Sequence, residues 1–254
     1  MERNTKIIAV SGKGGVGKTS LSAAIVRILV KEYPNKRILA IDADPAIGLA
    51  TALGVEVDET LDDIRKRVAA DVTEKLRDTQ DILAEAKFRL VDAMAEKNGF
   101  GFIAIGRPEA AGCYCAVNTY LREVISMLAG DFDFVVIDGE AGIEQINRRV
   151  MEKVTHLLLV SDQSKKGISV LEVIREVADE LVMYDEIGAI INRATMPELA
   201  PSEIAGAKVL SVIGPDDSQT KNDIEGESVF KLPEDSCLLL GAKEALTQMK
   251  ILED

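Results

Sequence analysis

The sequence has little of what a disulfide framework, a multi-histidine metal site or a membrane span requires. Its 254 residues include three cysteines and a single histidine, His156. Three cysteines do not make a disulfide framework, and one histidine cannot build a multi-histidine site. No apolar run approaches the ~20 residues that a membrane-spanning helix needs. We therefore expect no membrane partner, and we expect any cysteine to serve in metal binding, redox chemistry or packing.

Positive charge is also scarce. Lys and Arg number 30 against 43 Asp and Glu, which gives a formal net charge of −13 at pH 7. This balance repels polyanions unless a local basic patch intervenes, and the sequence contains no such patch. We therefore predict no nucleic-acid partner.

What the sequence does contain is a phosphate-binding loop. A short apolar strand at 6–10 leads into Ser11–Ser20, which has the pattern Gly, four residues, then Gly-Lys-Thr ahead of a predicted helix. Backbone N–H groups of such a loop point inward beside the positive end of the helix, so an anion fits there. We therefore favour a phosphate site over a glycine-rich turn with no ligand. The candidate nucleotide contacts are Gly12, Lys13, Gly14, Gly15, Val16, Gly17, Lys18, Thr19 and Ser20.

Two side chains of this loop have expected roles of their own. Lys18 should reach the β- and γ-phosphates of a nucleotide, and the Thr19 hydroxyl should ligate the Mg²⁺ that bridges them. The loop stands where a signal peptide would begin, so we expect a cytoplasmic protein.

Apolar runs of strand length alternate with helix-length segments along the chain. This alternation predicts an α/β fold with a doubly wound, mainly parallel sheet whose ligands bind at the carboxyl ends of the strands. No linker or repeat divides the sequence, so we expect one domain over 1–254. The predicted strands, about seven in all, are 6–10, 37–42, 101–105, 132–138, 155–161, 187–191 and 207–213.

One connection is longer than this fold normally needs. The segment 58–98 is charge-rich and shows no obvious strand. Within it, apolar residues recur at three- and four-residue spacing, at Leu61, Ile64, Val68, Val72 and Leu76. We interpret it as a helical insert and favour a surface helix pair packed on the sheet over a lid that docks a partner.

Carboxylates follow two of the predicted strands. Asp42-Ala-Asp44-Pro45 ends the second strand, and Asp138-Gly-Glu140 ends the strand at 132–138. Such residues could cap the helices that follow. Two of them at the edge that carries the phosphate loop favour metal–nucleotide chemistry instead.

The loop with its additional lysine, Gly12-Lys13-Gly-Gly-Val-Gly-Lys-Thr19, resembles that of the deviant Walker A family of P-loop ATPases. The resemblance implies a homodimer in which Lys13 reaches the partner's nucleotide. Without the resemblance, Lys13 could be a solvated loop lysine. The resemblance also implies that Asp44 positions the attacking water and that Asp138 holds Mg²⁺ through water. Asn192 and Pro215 resemble residues that contact adenine in this family.

A pair of cysteines is the most discriminating local feature. Cys113 and Cys115 are too close for an unstrained disulfide, but they can point to one side of a loop. A two-fold dimer would bring together four thiols, which suits Zn²⁺ or Ni²⁺, although a Cys-x-Cys is more often incidental or packed. We interpret Cys237, which has apolar neighbours, as a core residue.

Arg107-Pro-Glu ahead of this pair, together with Asp138-Gly-Glu-Ala-Gly-Ile-Glu144, resembles the CooC-type nickel-insertion ATPases. The resemblance implies ATP, ADP and Mg²⁺ as cofactors, Ni²⁺ or Zn²⁺ at the cysteines, and carbon monoxide dehydrogenase or acetyl-CoA synthase as the client. The alternatives are a MinD- or ParA-like positioning ATPase and a reductase like the nitrogenase iron protein. The first would need a basic tail or surface, and the second would need a cysteine near Asp138.

Overall fold

The computed structural model describes residues 5–64, 66–67, 88–106, 123, 125–139 and 153–253. A nine-stranded sheet runs through them in the order β3-β4-β2-β5-β1-β6-β7-β9-β8. Its strands are β1 (Lys6–Gly12), β2 (Ile38–Asp42), β3 (Ala95–Lys97), β4 (Phe100–Ala104), β5 (Phe134–Asp138), β6 (His156–Ser161), β7 (Glu186–Ile191), β8 (Glu203–Ile204) and β9 (Ala207–Val212).

The seven longer strands pair in parallel, with β1 between β5 and β6. The central strands of such a sheet are buried on both faces, which explains why most of their residues are apolar. All seven predicted strands are present, and the predicted doubly wound, mainly parallel α/β fold is confirmed.

Helices cover both faces of the sheet. Five α-helices lie wholly within the described residues: α1 (Lys18–Glu32), α2 (Gly48–Leu53), α3 (Lys165–Leu181), α4 (Asp217–Glu225) and α5 (Cys237–Gln248). One core layer joins the sheet to α1, α2 and α5. The other joins it to α3 and to buried residues of the helical stretches 61–64, 88–92 and 125–129. Alternate residues of β1 enter the two layers, so this strand lies at the centre of the fold.

The two short edge strands were not predicted. β3 pairs antiparallel with β4, and β8 pairs antiparallel with β9. The expectation of a segment 58–98 without a strand is therefore wrong at Ala95–Lys97. A three-residue strand carries no readable periodicity, and backbone pairing alone defines it. Residues 61–64, 66–67 and 88–92 of this segment are helical, whereas Val68, Val72 and Leu76 lie outside the described residues.

The prediction of Cys237 as a core residue is also wrong. It is the first residue of α5 and is exposed, whereas Leu238 and Leu239 are buried. Successive helix residues point about 100° apart, so apolar neighbours do not place a residue in the core. None of the helices in the described part of the chain has the length and apolar character needed to cross a membrane.

Candidate functional site

The candidate site lies at the carboxyl edge of the sheet, where three neighbouring strands end. Val10 of β1 is in register with Asp138 of β5, and Asp138 is in register with Asp42 of β2. The glycine-rich loop leaves the end of β1 at the same edge. The fold therefore brings together the phosphate-loop motif and both carboxylate-bearing strand ends.

The loop begins with a close approach of two backbones. A Cβ atom on Gly12 would lie 2.0 Å from the carbonyl oxygen of Val160, so glycine is required there. The Lys13 N–H donates to the same oxygen at 3.2 Å. The loop ends at Gly17, which has a φ of 90° and precedes the first turn of α1. Both ends of the loop thus depend on glycine, and its direction is set by β6.

Lys18 is buried at the start of α1. Its side-chain nitrogen donates to the Lys13 carbonyl oxygen at 3.1 Å and so reaches back across the loop. A buried ammonium, loop N–H groups and a helix N-terminus together form a setting in which an anion is stabilised. The arrangement can accept a phosphate group.

Asp138 has a carboxylate oxygen available for a cation. The side chain is 1% exposed, and its Oδ1 accepts a hydrogen bond from Ser22 Oγ at 2.9 Å. Oδ2 is buried without a hydrogen-bond partner in the described structure. Burial raises the pKa of Asp138 to about 6, although the Thr19 and Ser22 hydroxyls and the Lys18 charge act in the opposite direction. A buried carboxylate oxygen beside Thr19 suits Mg²⁺ or a water bound to it.

Asp42 is a site residue that the sequence reasoning left without a role. Its Oδ1 accepts the Asp44 N–H at 3.0 Å, and its Oδ2 accepts the Leu49 N–H at 2.8 Å. Burial and the Asp138 charge raise the pKa of Asp42 to about 7. The carboxyl group therefore ties the loop that carries Asp44 to the start of α2. Its position in Asp-Ala-Asp at a strand end was the available signal.

Asp44 begins a tight turn after β2. It is half-buried, and its Oδ1 accepts the Ala46 N–H at 2.8 Å. Its backbone oxygen accepts the Ile47 N–H at 3.1 Å. These bonds, with the one from its own N–H to Asp42, fix the backbone at this position.

Asn192 and Pro215 line one pocket of about 510 Å³ beside the phosphate loop, together with Gly17 and Ser20. Asn192 Nδ2 donates to the Val16 carbonyl oxygen at 2.7 Å, and its Oδ1 accepts the Arg193 N–H at 3.0 Å. The amide thus joins the end of β7 to the phosphate loop. Contact of Asn192 and Pro215 with adenine stays a prediction.

Two charged residues outside the loop, Arg193 and Asp162, contact it and were not predicted. Arg193 Nη1 donates to the Gly15 carbonyl oxygen at 3.2 Å, and Lys13 forms an ion pair with Asp162 of its own chain. No local sequence pattern predicts either contact, because each joins residues that are far apart in the sequence.

The cysteine pair cannot be placed in this site. Cys113, Cys115 and Arg107, with Glu140 and Glu144, lie outside the described residues. Among the residues that are described, no group of three or more His, Cys, Asp or Glu side chains is arranged to hold a metal ion. Metal binding by Cys113 and Cys115 therefore stays a prediction.

Comparisons with known proteins identify the family. The family model described as the CobQ/CobB/MinD/ParA nucleotide binding domain matches residues 7–229. An uncharacterised ATP-binding protein of Methanocaldococcus jannaschii is 34% identical over 242 residues, which cover 91% of this chain and 92% of that protein. The carbon monoxide dehydrogenase accessory protein CooC of Rhodospirillum rubrum is 30% identical over 225 residues, which cover 77% of this chain and 82% of CooC.

A solved structure shows the same fold. The septum site-determining protein MinD of Pyrococcus horikoshii, solved with Mg-ADP, matches with a TM-score of 0.70 and 23% identity over 96% of each chain. This chain therefore belongs to the CobQ/CobB/MinD/ParA nucleotide-binding family. It is an ATP-binding P-loop ATPase.

The hydrogen bond from Asn192 to the loop leads to a first prediction. Asn192→Ala leaves the Val16 carbonyl without its donor, so the loop should lose order and bind phosphates about tenfold more weakly. The affinities for ATP and for inorganic tripolyphosphate, measured by calorimetric titration, should fall by the same factor. Asn222→Ala, which removes an amide donor to the Ser228 carbonyl, is the matched control and should change neither affinity. A loss confined to ATP would show that Asn192 acts on the base instead.

Proposed function

We propose that the protein is a Mg²⁺-dependent ATPase that acts as a homodimer and inserts nickel into a metalloenzyme. The observation that carries the ATPase part is the meeting of the phosphate loop, Lys18 and the Asp42 and Asp138 strand ends at one edge of the sheet. The nickel part rests on Cys113 and Cys115 and on the likeness to CooC.

In this proposal the loop residues Gly12–Ser20 bind the phosphates of ATP, with Lys18 on the β- and γ-phosphates. Thr19 and Asp138 would hold Mg²⁺, and Asp138 Oδ2, buried and without a hydrogen-bond partner among the residues described, supports this assignment. When bound, Mg²⁺ would neutralise charge on the phosphates. Asn192 and Pro215 would border the adenine.

Asp44 would orient the water that attacks the γ-phosphate. Orientation requires a fixed backbone, and Asp42 supplies it by accepting the Asp44 N–H. Lys13 would cross to the nucleotide of the partner chain and stabilise charge that develops on the transferred phosphoryl group. ATP binding would then favour the dimer, and hydrolysis would weaken it.

Nickel would be the cargo of this cycle. Cys113 and Cys115 give two thiolates per chain, and a two-fold dimer gives the four that suit a four-coordinate Ni²⁺ or Zn²⁺ site. The client would be carbon monoxide dehydrogenase or acetyl-CoA synthase. The relation to the Rhodospirillum rubrum accessory protein, which extends over 77% of this chain, supports the first of these.

A MinD- or ParA-like positioning ATPase is the main alternative, since the fold is the same. Helix α5 is a poor candidate for membrane binding, because its residues Leu238, Leu239 and Leu246 are packed in the core. The Asp138 loop contains no cysteine, which disfavours a reductase with an interfacial iron–sulfur cluster.

The two loop lysines should respond differently to substitution. Lys18→Ala removes a charged contact made within the chain, so ATP affinity should fall about 10- to 100-fold. Lys13→Ala should keep most ATP affinity but lose about 100-fold or more in kcat, because its contact is made across the dimer in the transition state. Nucleotide titration and steady-state turnover measure the two effects. Equal turnover in Lys13→Ala and the unaltered protein would refute the trans role.

Asp44→Asn should trap ATP. A residue that orients water acts mainly in the transition state, so kcat should fall about 10²- to 10⁴-fold with little change in ATP affinity. Gel filtration with ATP should show a persistent dimer. A variant that stays monomeric with ATP while turning over normally would contradict the assigned role of Asp44.

Substitution of either paired cysteine tests the nickel site. Cys113→Ala or Cys115→Ala would leave two thiolates per dimer. Loss of a residue that only hydrogen-bonds to a metal ligand lowers metal affinity by up to ~100-fold, so loss of a ligand itself should lower Ni²⁺ affinity by more. ATP affinity should persist because the phosphate loop is separate. Cys237→Ala, which removes an exposed cysteine elsewhere, is the control and should bind Ni²⁺ normally.

The melting temperatures of these variants separate the remaining interpretation. If both cysteines are small core residues, substitution lowers stability and leaves metal binding unchanged. Unchanged Ni²⁺ binding in both variants would remove the nickel function and leave an ATPase with another client.

A further inference from the structure

The Lys13 side chain is already engaged within its own chain. Its ammonium forms an ion pair with the Asp162 carboxylate, in the loop that follows β6. The two side chains are 26% and 31% exposed, so the pair lies at the surface beside the phosphate loop. A lysine in contact with Asp162 cannot at the same time contact a phosphate of another chain at full strength.

Both partners of this ion pair are held in place. The Lys13 N–H donates to the Val160 carbonyl oxygen at 3.2 Å, which anchors its backbone to the end of β6. Asp162 Oδ1 accepts the Ser164 N–H at 3.1 Å, and Ser164 in turn caps α3 by accepting the Gly167 N–H at 3.0 Å. The position of the carboxylate is thus set by the start of a helix.

The carboxylate is in its charged form at neutral pH. Burial alone would raise the pKa of Asp162, but hydrogen bonds from Lys13 and Ser164 outweigh it and lower the pKa below its usual value. The competitor that Lys13 must leave therefore carries a full negative charge.

We propose that Asp162 is a positioning residue that retains Lys13 on its own chain until the nucleotide of a partner competes for it. The proposal rests on the proposed role of Lys13 across the dimer. A triphosphate carries more negative charge than one carboxylate or than a diphosphate, so it competes best for the ammonium. Asp162 would thus raise the dimer Kd and make dimer formation depend on the triphosphate.

Asp162→Asn isolates the charge. The amide keeps an oxygen for the Ser164 N–H but loses the charge that holds Lys13. A partly exposed ion pair contributes little, so the ATP-dependent dimer should tighten about two- to fivefold. Turnover at low protein concentration should rise, and the difference should shrink as the protein concentration passes the dimer Kd. Sedimentation with ATP and turnover against protein concentration measure both effects.

Two variants control for charge and for folding. Asp185→Asn removes an equal charge from another lysine–aspartate pair, since Asp185 lies 3.6 Å from Lys153 at the opposite end of β6. It should leave the dimer Kd unchanged. Asp162→Glu keeps the charge and should remain close to the unaltered protein, which excludes an effect of side-chain replacement as such.

The combination with Lys13→Ala makes the role of Asp162 falsifiable by itself. In that background Asp162→Asn should change the dimer Kd no further, because the group it holds is gone. An effect of equal size there, or equal behaviour of Asp162→Asn and Asp185→Asn, would overturn the proposal. Full turnover by Lys13→Ala alone would instead refute the trans role on which the proposal rests.

Discussion

A contact between two backbones at the end of β1 fixes the position of the site. Gly12 lies against the Val160 carbonyl so closely that a Cβ atom would be 2.0 Å from its oxygen. The next residue, Lys13, donates its N–H to the same oxygen, and the loop then turns into α1. This contact sets the position of the loop. The loop in turn positions the backbone of Lys13, the N-terminus of α1 and the Lys18 side chain. Only glycine fits at position 12, because the atoms that a Cβ would meet belong to the backbone of β6 and cannot move aside as a flexible side chain can.

The electrostatics of this edge are unfavourable without a ligand. Asp42 and Asp138 are both buried and in register on neighbouring strands, and burial raises the pKa of each. Perturbed carboxyl groups of this kind cluster at functional sites, and in the proposed function a cation bound with ATP would balance their charge. The role of Asp42 in fixing the Asp44 backbone gives one of the two carboxyl groups a structural purpose as well.

Much of this arrangement could be predicted because its signals are local. Most residues of each parallel strand are apolar, and the phosphate loop is one contiguous motif. The edge strands β3 and β8 could not be predicted, because two or three residues are too few to show the alternating apolar pattern of a strand. The contacts of Asn192, Arg193 and Asp162 escaped because they join residues 176, 178 and 149 positions apart. Only the assembled sheet brings these side chains to the loop. Cys237 is exposed despite its apolar neighbours because its position on α5 directs it away from the core.

In the proposed function, two chains share one nickel site whose assembly depends on ATP. The direct test is the number of nickel ions bound per chain by the purified protein, measured by elemental analysis after removal of free metal, with and without ATP. A site shared by two chains should bind about half an equivalent of nickel per chain with ATP, in a species of twice the monomer mass. One equivalent per chain in a monomer, or no retained nickel under either condition, would contradict this proposal.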